Sequence, residues 1–217
     1  MTDVSSPRTP KGRAKEVARR LTVEYPEAVC ELDHRNAFEL LVATIMAAQC
    51  TDVRVNQVTP ELFRRFSTPE KMAQAPLEEL EALVRSTGFF RMKAKAISEA
   101  SRDIVEKHGG KVPEGLADLT ALRGVGRKTA NVVRGNAFGI PGLVVDTHVG
   151  RLSRRLGFTR AGDPEKVEQE MMRLVPEQDW TLFSHLLIWH GRRVCDARKP
   201  KCEPCELRLL CDRRGLA

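Results

Sequence analysis

Leu122-Arg123-Gly124-Val125-Gly126-Arg127-Lys128-Thr129-Ala130, followed by Val145-Asp146-Thr147-His148, is the stretch on which the reading of this chain turns. The two glycines punctuate an otherwise helix-compatible run, so the spacing predicts a hairpin that opens a helix. Glycine lets the chain turn sharply and brings bare backbone N–H groups to the surface. Such groups form an anion-binding nest, and the helix that follows points its positive dipole end the same way. An ordinary tight turn between helices would also use Gly-x-Gly. The flanking Arg123, Arg127 and Lys128 argue instead for a phosphate grip built from Arg123, Gly124, Val125, Gly126 and Arg127, one that reads no base.

Lys128 sits at the start of that helix. A lysine is a good nucleophile only when neutral, and its ordinary pKa of roughly 10.4 keeps it protonated in water. Burial or neighbouring positive charge favours the neutral amine, and the helix start and Arg127 are placed to supply these. A neutral amine can attack the C1′ carbon of a sugar and form a Schiff base. Asp146 follows eighteen residues later. It precedes a helix and can simply cap it, or its charge can stabilise an oxocarbenium-like sugar or assist proton transfer; both readings stay open. His148, in the first helical turn, reads as a structural hydrogen-bonder and is left out of the catalytic set.

A second cluster lies near the C-terminus, with the spacing Cys195-x6-Cys202-x2-Cys205-x5-Cys211. Four thiolates within 17 residues can enclose one metal centre. Structural zinc usually takes two close pairs, whereas this run has one, and its loops of six and five suit a larger cubane better. The spacing therefore favours [4Fe–4S] and leaves Zn²⁺ open. Cys30 and Cys50 stand apart and read as small core or edge residues.

Composition sets the frame. With 217 residues, one large domain or two compact ones can each bury a core. Hydrophobic residues at 41% and charged residues at 30% are ordinary for a soluble globular protein. The formal charge of +7 suits a nucleic-acid partner. Its distribution is more telling: no Asp or Glu lies between Asp118 and Asp146, where Arg123, Arg127, Lys128 and Arg134 fall, and the stretch from His185 onward carries eight Lys/Arg against four Asp/Glu. Met1 to Gly12 is polar and lacks the apolar core of a targeting signal. The longest apolar stretch, Phe38 to Ala48, is too short to span a bilayer. Six cysteines without a secretory signal point to a reducing cytosol, so a cytoplasmic location is expected, nucleoid-associated if the source is bacterial.

Helical periodicity dominates. Ala14, Val17, Ala18 and Leu21 give the stretch from Lys11 to Glu24 an apolar stripe. Asn36 caps a run to Ala48 that is apolar almost all round, the mark of a buried helix. Helices are further expected from Thr51-Asp52 through Phe66, at Pro69 and Pro76 in first-turn positions, from Phe90 to Lys107 with a stop at Gly109-Gly110, from Asp118 to Leu122, Arg127 to Phe138, Thr147 to Leu156, Pro164 to Val175 and Asp179 to Gly191. Leu143 to Val145 is the sole apolar run resembling a strand, and it is short. The expected class is all-α, with a seam at Gly139-Ile-Pro-Gly142.

Taken together these residues resemble the endonuclease III family of helix-hairpin-helix DNA glycosylases, over nearly the whole chain after the first ten residues. The resemblance rests on Phe38-Glu-Leu-Leu-Val-Ala-Thr-Ile-Met-Ala-Ala-Gln49, Thr51-Asp52, Thr87-Gly-Phe-Phe-Arg-Met-Lys-Ala-Lys95, the hairpin through Val133, Val145-Asp-Thr-His148 and the cysteine loop. It implies two α-helical domains with a DNA-binding cleft between them: a six-helix barrel carrying the hairpin over residues 30–140, and an iron–sulfur domain made from residues 1–29 and 141–217 with one [4Fe–4S] cluster. It further implies that Lys128 is the Schiff-base nucleophile and Asp146 the catalytic aspartate. Gln49 would fill the hole left by an extruded nucleotide, and Phe89 would wedge against the opposite strand. The implied substrate is duplex DNA with a damaged, usually oxidised, pyrimidine or an abasic site. Base removal would be followed by β-elimination 3′ to the sugar.

Some positions depart from the family pattern: Arg123 replaces a proline, and Phe89-Phe90 is bulkier than the usual Leu-Tyr. The rival readings are an adenine-removing glycosylase of the MutY type, which lacks the lysine and carries a further C-terminal domain, and a non-enzymatic DNA-binding module with a structural metal. Lys128 and an end at Ala217 weigh against the first, and the pairing of Lys128 with Asp146 against the second. A monomer without membrane association is expected.

Overall fold

The computed structural model describes residues 9–215. The expectation about a targeting signal in Met1 to Gly12 falls mostly on residues 1–8, outside the described residues. Among those described there is no strand, and the fold is all-α. The helices are α1 (Pro10–Glu24), α2 (Ala37–Met46), α3 (Asp52–Arg65), α4 (Pro69–Ala73), α5 (Leu77–Val84), α6 (Phe90–His108), α7 (Leu116–Ala121), α8 (Arg127–Ala137), α9 (Thr147–Arg155), α10 (Pro164–Met172) and α11 (Trp180–Arg193), with short 3₁₀ turns between some of them.

Local chemistry starts most of these helices. Thr9, Asn36, Thr51, Thr68, Asp146 and Asp163 each accept a backbone N–H of the first turn, the contact that satisfies an otherwise orphaned donor. At α2 Glu39 N–H donates to the cap Asn36 Oδ1 at 3.0 Å, while the buried Glu39 carboxylate reaches back past the cap and accepts Arg35 N–H at 2.8 Å. Gly109, in the left-handed region at φ +59°, ends α6 as expected. Pro76 differs from expectation. It occupies the cap position of α5 and not its first turn, since its fixed φ serves either place. The buried helix α2 stops at Met46 instead of Ala48, because Gln49 turns left-handed at φ +52°.

The chain divides into two compact units, Cys30–Ile140 and a second made of Met1–Val29 with Pro141–Ala217. Each has its own core. In the central unit Leu40, Leu41, Met46, Leu62, Met72, Leu80, Ile97 and Ile104 are fully buried, and α8 packs on α2. The core of the terminal unit is built on Leu21, Leu152, Val167, Met171, Phe183 and Leu187, with α9 and α1 against α11. Leu143 to Val145 pairs with no strand. Val144 N–H donates to Ser184 Oγ at 2.9 Å, so a hydroxyl on α11 does what a neighbouring strand would.

Candidate active site

The hairpin forms where it is expected. Leu122 and Val125 are buried, and Val125 N–H donates to the Leu122 carbonyl at 3.1 Å, closing the turn between α7 and α8. Gly124 stands at φ +76°, and a Cβ there would lie 2.8 Å from the Ala96 Cβ. Glycine is therefore required at that position twice over, by backbone and by packing. Gly126 is different. Its φ of −92° is ordinary extended backbone and its neighbourhood is open, so the hairpin does not need glycine there. What the missing side chain does is leave the start of α8 bare. No side chain caps α8 and no acidic residue sits in its first turn, so its N–H groups and positive dipole face outward. Val125 is a core residue, and only its backbone is available to a ligand. Arg123 is exposed and forms an ion pair with Glu99 on α6 at 3.6 Å, a surface contact worth about 1 kcal/mol or less. Arg127 is half-buried.

Lys128 projects from the first turn of α8 and is exposed. The burial expected of it is thus not supplied by the chain itself, and Arg127 stands beside it at the same uncapped helix start. Asp146 caps α9, its Oδ1 accepting Val149 N–H at 2.8 Å. The capping reading of this residue is therefore correct as geometry. It uses one carboxylate oxygen and leaves the side chain half-exposed, which does not remove a second role. His148 hydrogen-bonds Arg151 Nη2 at 3.1 Å, the structural part expected of it.

Gln49 and Phe89 share a property that sequence reasoning missed. With Arg213 they are the non-glycine residues with positive φ among the described residues, at +52° and +48°. Both are exposed, Phe89 to 59%. A bulky aromatic in the left-handed region is strained by about 1–3 kcal/mol, and strain of this kind gathers at functional sites. Met92, one turn along α6, is 73% exposed and adds to the apolar surface at Phe89.

Cys195, Cys202, Cys205 and Cys211 line one cavity in the terminal unit, together with Arg155, His190, Leu152, Leu156 and Leu207. Among the described residues no three His, Cys, Asp or Glu side chains close on a point where one ion would sit. The four thiols share one cavity lining, the donor set of a metal–thiolate centre. Burial pushes the Cys205 thiol up to about 11, and the other cysteines add to the shift; burial also raises Cys211. A bound cationic centre reverses that balance by holding thiolates. Hydrogen-bond donors to sulfur, invisible in the cysteine spacing, are already in place. Arg155, buried on α9, donates to Cys195 Sγ at 3.2 Å and to the carbonyls of Asp196 and Ala197 at 2.7 and 2.8 Å. Arg213 N–H reaches Cys211 Sγ at 3.4 Å. His190, held near pKa 4 by burial, sits between Tyr25 Oη at 3.1 Å and Cys205 Sγ at 3.4 Å.

Comparison with known proteins places these features. Residues 42–177 match the HhH-GPD superfamily of base excision DNA repair proteins. An endonuclease III from Synechocystis sp. is 53% identical over 202 residues, covering 93% of this chain and 92% of its own length. One from Bacillus subtilis strain 168 is 48% identical, covering 88% and 91%. A solved structure of a trapped endonuclease III–DNA covalent intermediate, in an estranged-adenine complex, matches with a TM-score of 0.89 at 44% identity, over 93% of this chain and 95% of that one. A glycine hairpin opening onto Lys128, four cysteines around one cavity and identity along nearly the full length agree: the chain belongs to the endonuclease III family of the HhH-GPD superfamily.

Proposed function

We infer that this protein is a bifunctional DNA glycosylase and abasic-site lyase of base excision repair, acting on duplex DNA that carries an oxidised pyrimidine or an abasic site. The observation that carries the reading is Lys128 itself. It is an exposed amine in the first turn of an uncapped, positively flanked helix, in a chain 44% identical to one trapped covalently on DNA. The backbone of Gly124 to Arg127 and the N-terminus of α8 grip a phosphate, and Arg123 adds a charge to the same contact. Phe89 enters the base stack and Gln49 occupies the place of the extruded nucleotide, which lowers the cost of flipping.

With the nucleotide turned out, Lys128 Nζ bonds to C1′ as the bond from C1′ to the base breaks and the base departs. Loss of the amine proton and opening of the sugar ring leave a Schiff base. Removal of a C2′ proton then expels the 3′ phosphate by β-elimination. Asp146, one oxygen engaged at the head of α9, stabilises positive charge on the sugar and assists proton movement with the other. Closing DNA over Lys128 excludes water from the amine where it meets the sugar.

The four-cysteine lining of one cavity, with donors already aimed at sulfur, supports one [4Fe–4S] cluster per chain, which Cys195, Cys202, Cys205 and Cys211 would hold. Glycosidic cleavage needs no electron transfer, and when bound the cluster supplies a structural cross-link for the loop after α11. Basic residues around that loop, Arg198, Lys199 and Lys201, add phosphate contacts. The protein acts as a monomer in the cytoplasm, on the nucleoid in a bacterium; no helix among the described residues is long and apolar enough to cross a membrane.

The deciding experiment is borohydride trapping on a duplex containing an abasic site. The wild type is expected to give a covalent adduct and Lys128→Ala none. An adduct from Lys128→Ala at wild-type yield removes the lysine from the mechanism, and absence of an adduct from the wild type returns the protein to a binding module or a monofunctional enzyme.

A further inference from the structure

Lys93 is a buried charge to which the mechanism above gives no work. It lies in the first turn of α6 and is 5% exposed. Its Nζ donates to the Thr87 carbonyl at 2.7 Å, and its backbone N–H donates to the Phe89 carbonyl at 3.1 Å. One residue therefore holds the chain on both sides of Gly88. Thr87 is the fixed end of this turn: it is 2% exposed, and its Oγ1 donates to the Val84 carbonyl at 2.8 Å. Beyond it the backbone passes through two positive φ values, +69° at Gly88 and +48° at Phe89, and delivers the Phe89 ring to the surface.

Burying an ammonium is costly, and hydrophobic residues of similar volume often serve a core better. Burial lowers the Lys93 pKa, while Cys50, next in sequence to Gln49, acts in the opposite direction. Strained conformations persist only where the surroundings over-determine them. The peptide immediately before the strained pair is held at both ends: its N–H, from Gly88, donates to the Arg85 carbonyl at 3.4 Å within the local turn, and its carbonyl, from Thr87, accepts the shorter bond from the Lys93 ammonium, the side chain that ties the turn to α6.

We propose that Lys93 is a positioning residue for the DNA-entering turn: its buried ammonium, bonded to the Thr87 carbonyl, holds Thr87–Gly88–Phe89 so that the Phe89 ring stands ready to enter the duplex. The inference rests on the reading of Phe89 as a wedge. It makes the strained turn a preorganised feature, so that the ordering needed for wedging is complete before DNA arrives.

The test is a double-mutant cycle between Lys93→Met and Phe89→Ala, read by single-turnover excision of thymine glycol from a duplex. A second readout is the fluorescence of 2-aminopurine placed opposite the lesion, which rises when a wedge unstacks it. Lys93→Met is expected to keep a melting midpoint within about 5 °C of wild type, to slow excision roughly 10- to 100-fold, and to lose most of the fluorescence rise. In the Phe89→Ala background the same substitution is expected to change the rate by less than about twofold, because two residues acting through one contact are not additive. An equal loss in both backgrounds, an unchanged fluorescence rise, or a melting midpoint lowered by more than about 10 °C overturns the proposal. If Phe89→Ala alone keeps the wild-type rate and fluorescence, the wedge reading falls first and this inference with it, a result visible before any Lys93 variant is made.

Discussion

The two glycines of the hairpin are one motif in the sequence and two different residues in the structure. Gly124→Ala places a methyl 2.8 Å from the Ala96 Cβ at a φ of +76°, so it is expected to cost about 2–4 kcal/mol of stability. Gly126→Ala meets neither obstacle and is expected to leave the urea midpoint nearly unchanged, while weakening duplex binding about tenfold by covering the N–H groups at the start of α8. Chemical denaturation and a binding titration on both variants separate the two roles; an equal loss of stability in both would mean that the hairpin needs glycine at 126 for its own folding. Lys128 shows the same division. Its residue type and place at a helix start can be read along the chain, whereas its exposure, and hence its dependence on DNA for desolvation, cannot.

At the scale of single elements, α9 does most. Its head is capped by Asp146, and from its middle and its other end Arg151 and Arg155 reach the cysteine loop, Arg151 Nη2 donating to the Cys195 carbonyl at 2.9 Å. One short helix thus carries the proposed catalytic carboxylate and anchors the proposed cluster within the same unit. Arg155 is 5% exposed and binds two carbonyls as well as a sulfur. Arg155→Met is therefore expected to remove the donor shared by one sulfur and two loop carbonyls, cost about 1–2 kcal/mol, and reduce the broad absorbance at about 400 nm that an iron–sulfur centre gives. Absorbance spectra with metal analysis check this; a colourless wild-type protein holding one zinc per chain would replace the cluster. The helices themselves were legible because their caps are local. A Ser, Thr, Asp or Asn satisfies donors three residues away, so no distant partner is needed to place the start. Ends were less legible: α2 stops two residues early because of Gln49, whose left-handed backbone no local preference dictates.

For the whole molecule, two separate cores mean that stability has more than one source. In the terminal unit His185, 8% exposed on α11, is held near pKa 4 by burial. Its unfolded value is about 6.5, so the unfolded chain binds the proton more readily. The neutral buried ring contributes fully above pH 6.5, and its contribution is lost as pH falls toward 4. Between pH 7 and pH 5 the loss is about 2 kcal/mol. Urea unfolding at the two pH values is expected to show it in the wild type, and His185→Gln should lessen the difference; an identical pH dependence in the variant would assign the acid sensitivity elsewhere. Helical class, the order of elements and the grouping of four cysteines were all readable at this scale, since periodicity and spacing are properties of the chain.

What the linear chain determined by itself was everything that depends on near neighbours: caps, amphipathic stripes, the hairpin, and a set of residue types sufficient to name the chemistry. What only the tertiary structure decided was the environment of each group. It buried Lys93 and left Lys128 exposed, although both are lysines in the first turn of a helix. It brought four thiols into the lining of one cavity, and it forced Gln49 and Phe89 into a backbone region their side chains disfavour. The reason is physical: burial and strain are set by residues distant in sequence, and no local preference of the chain contains that information.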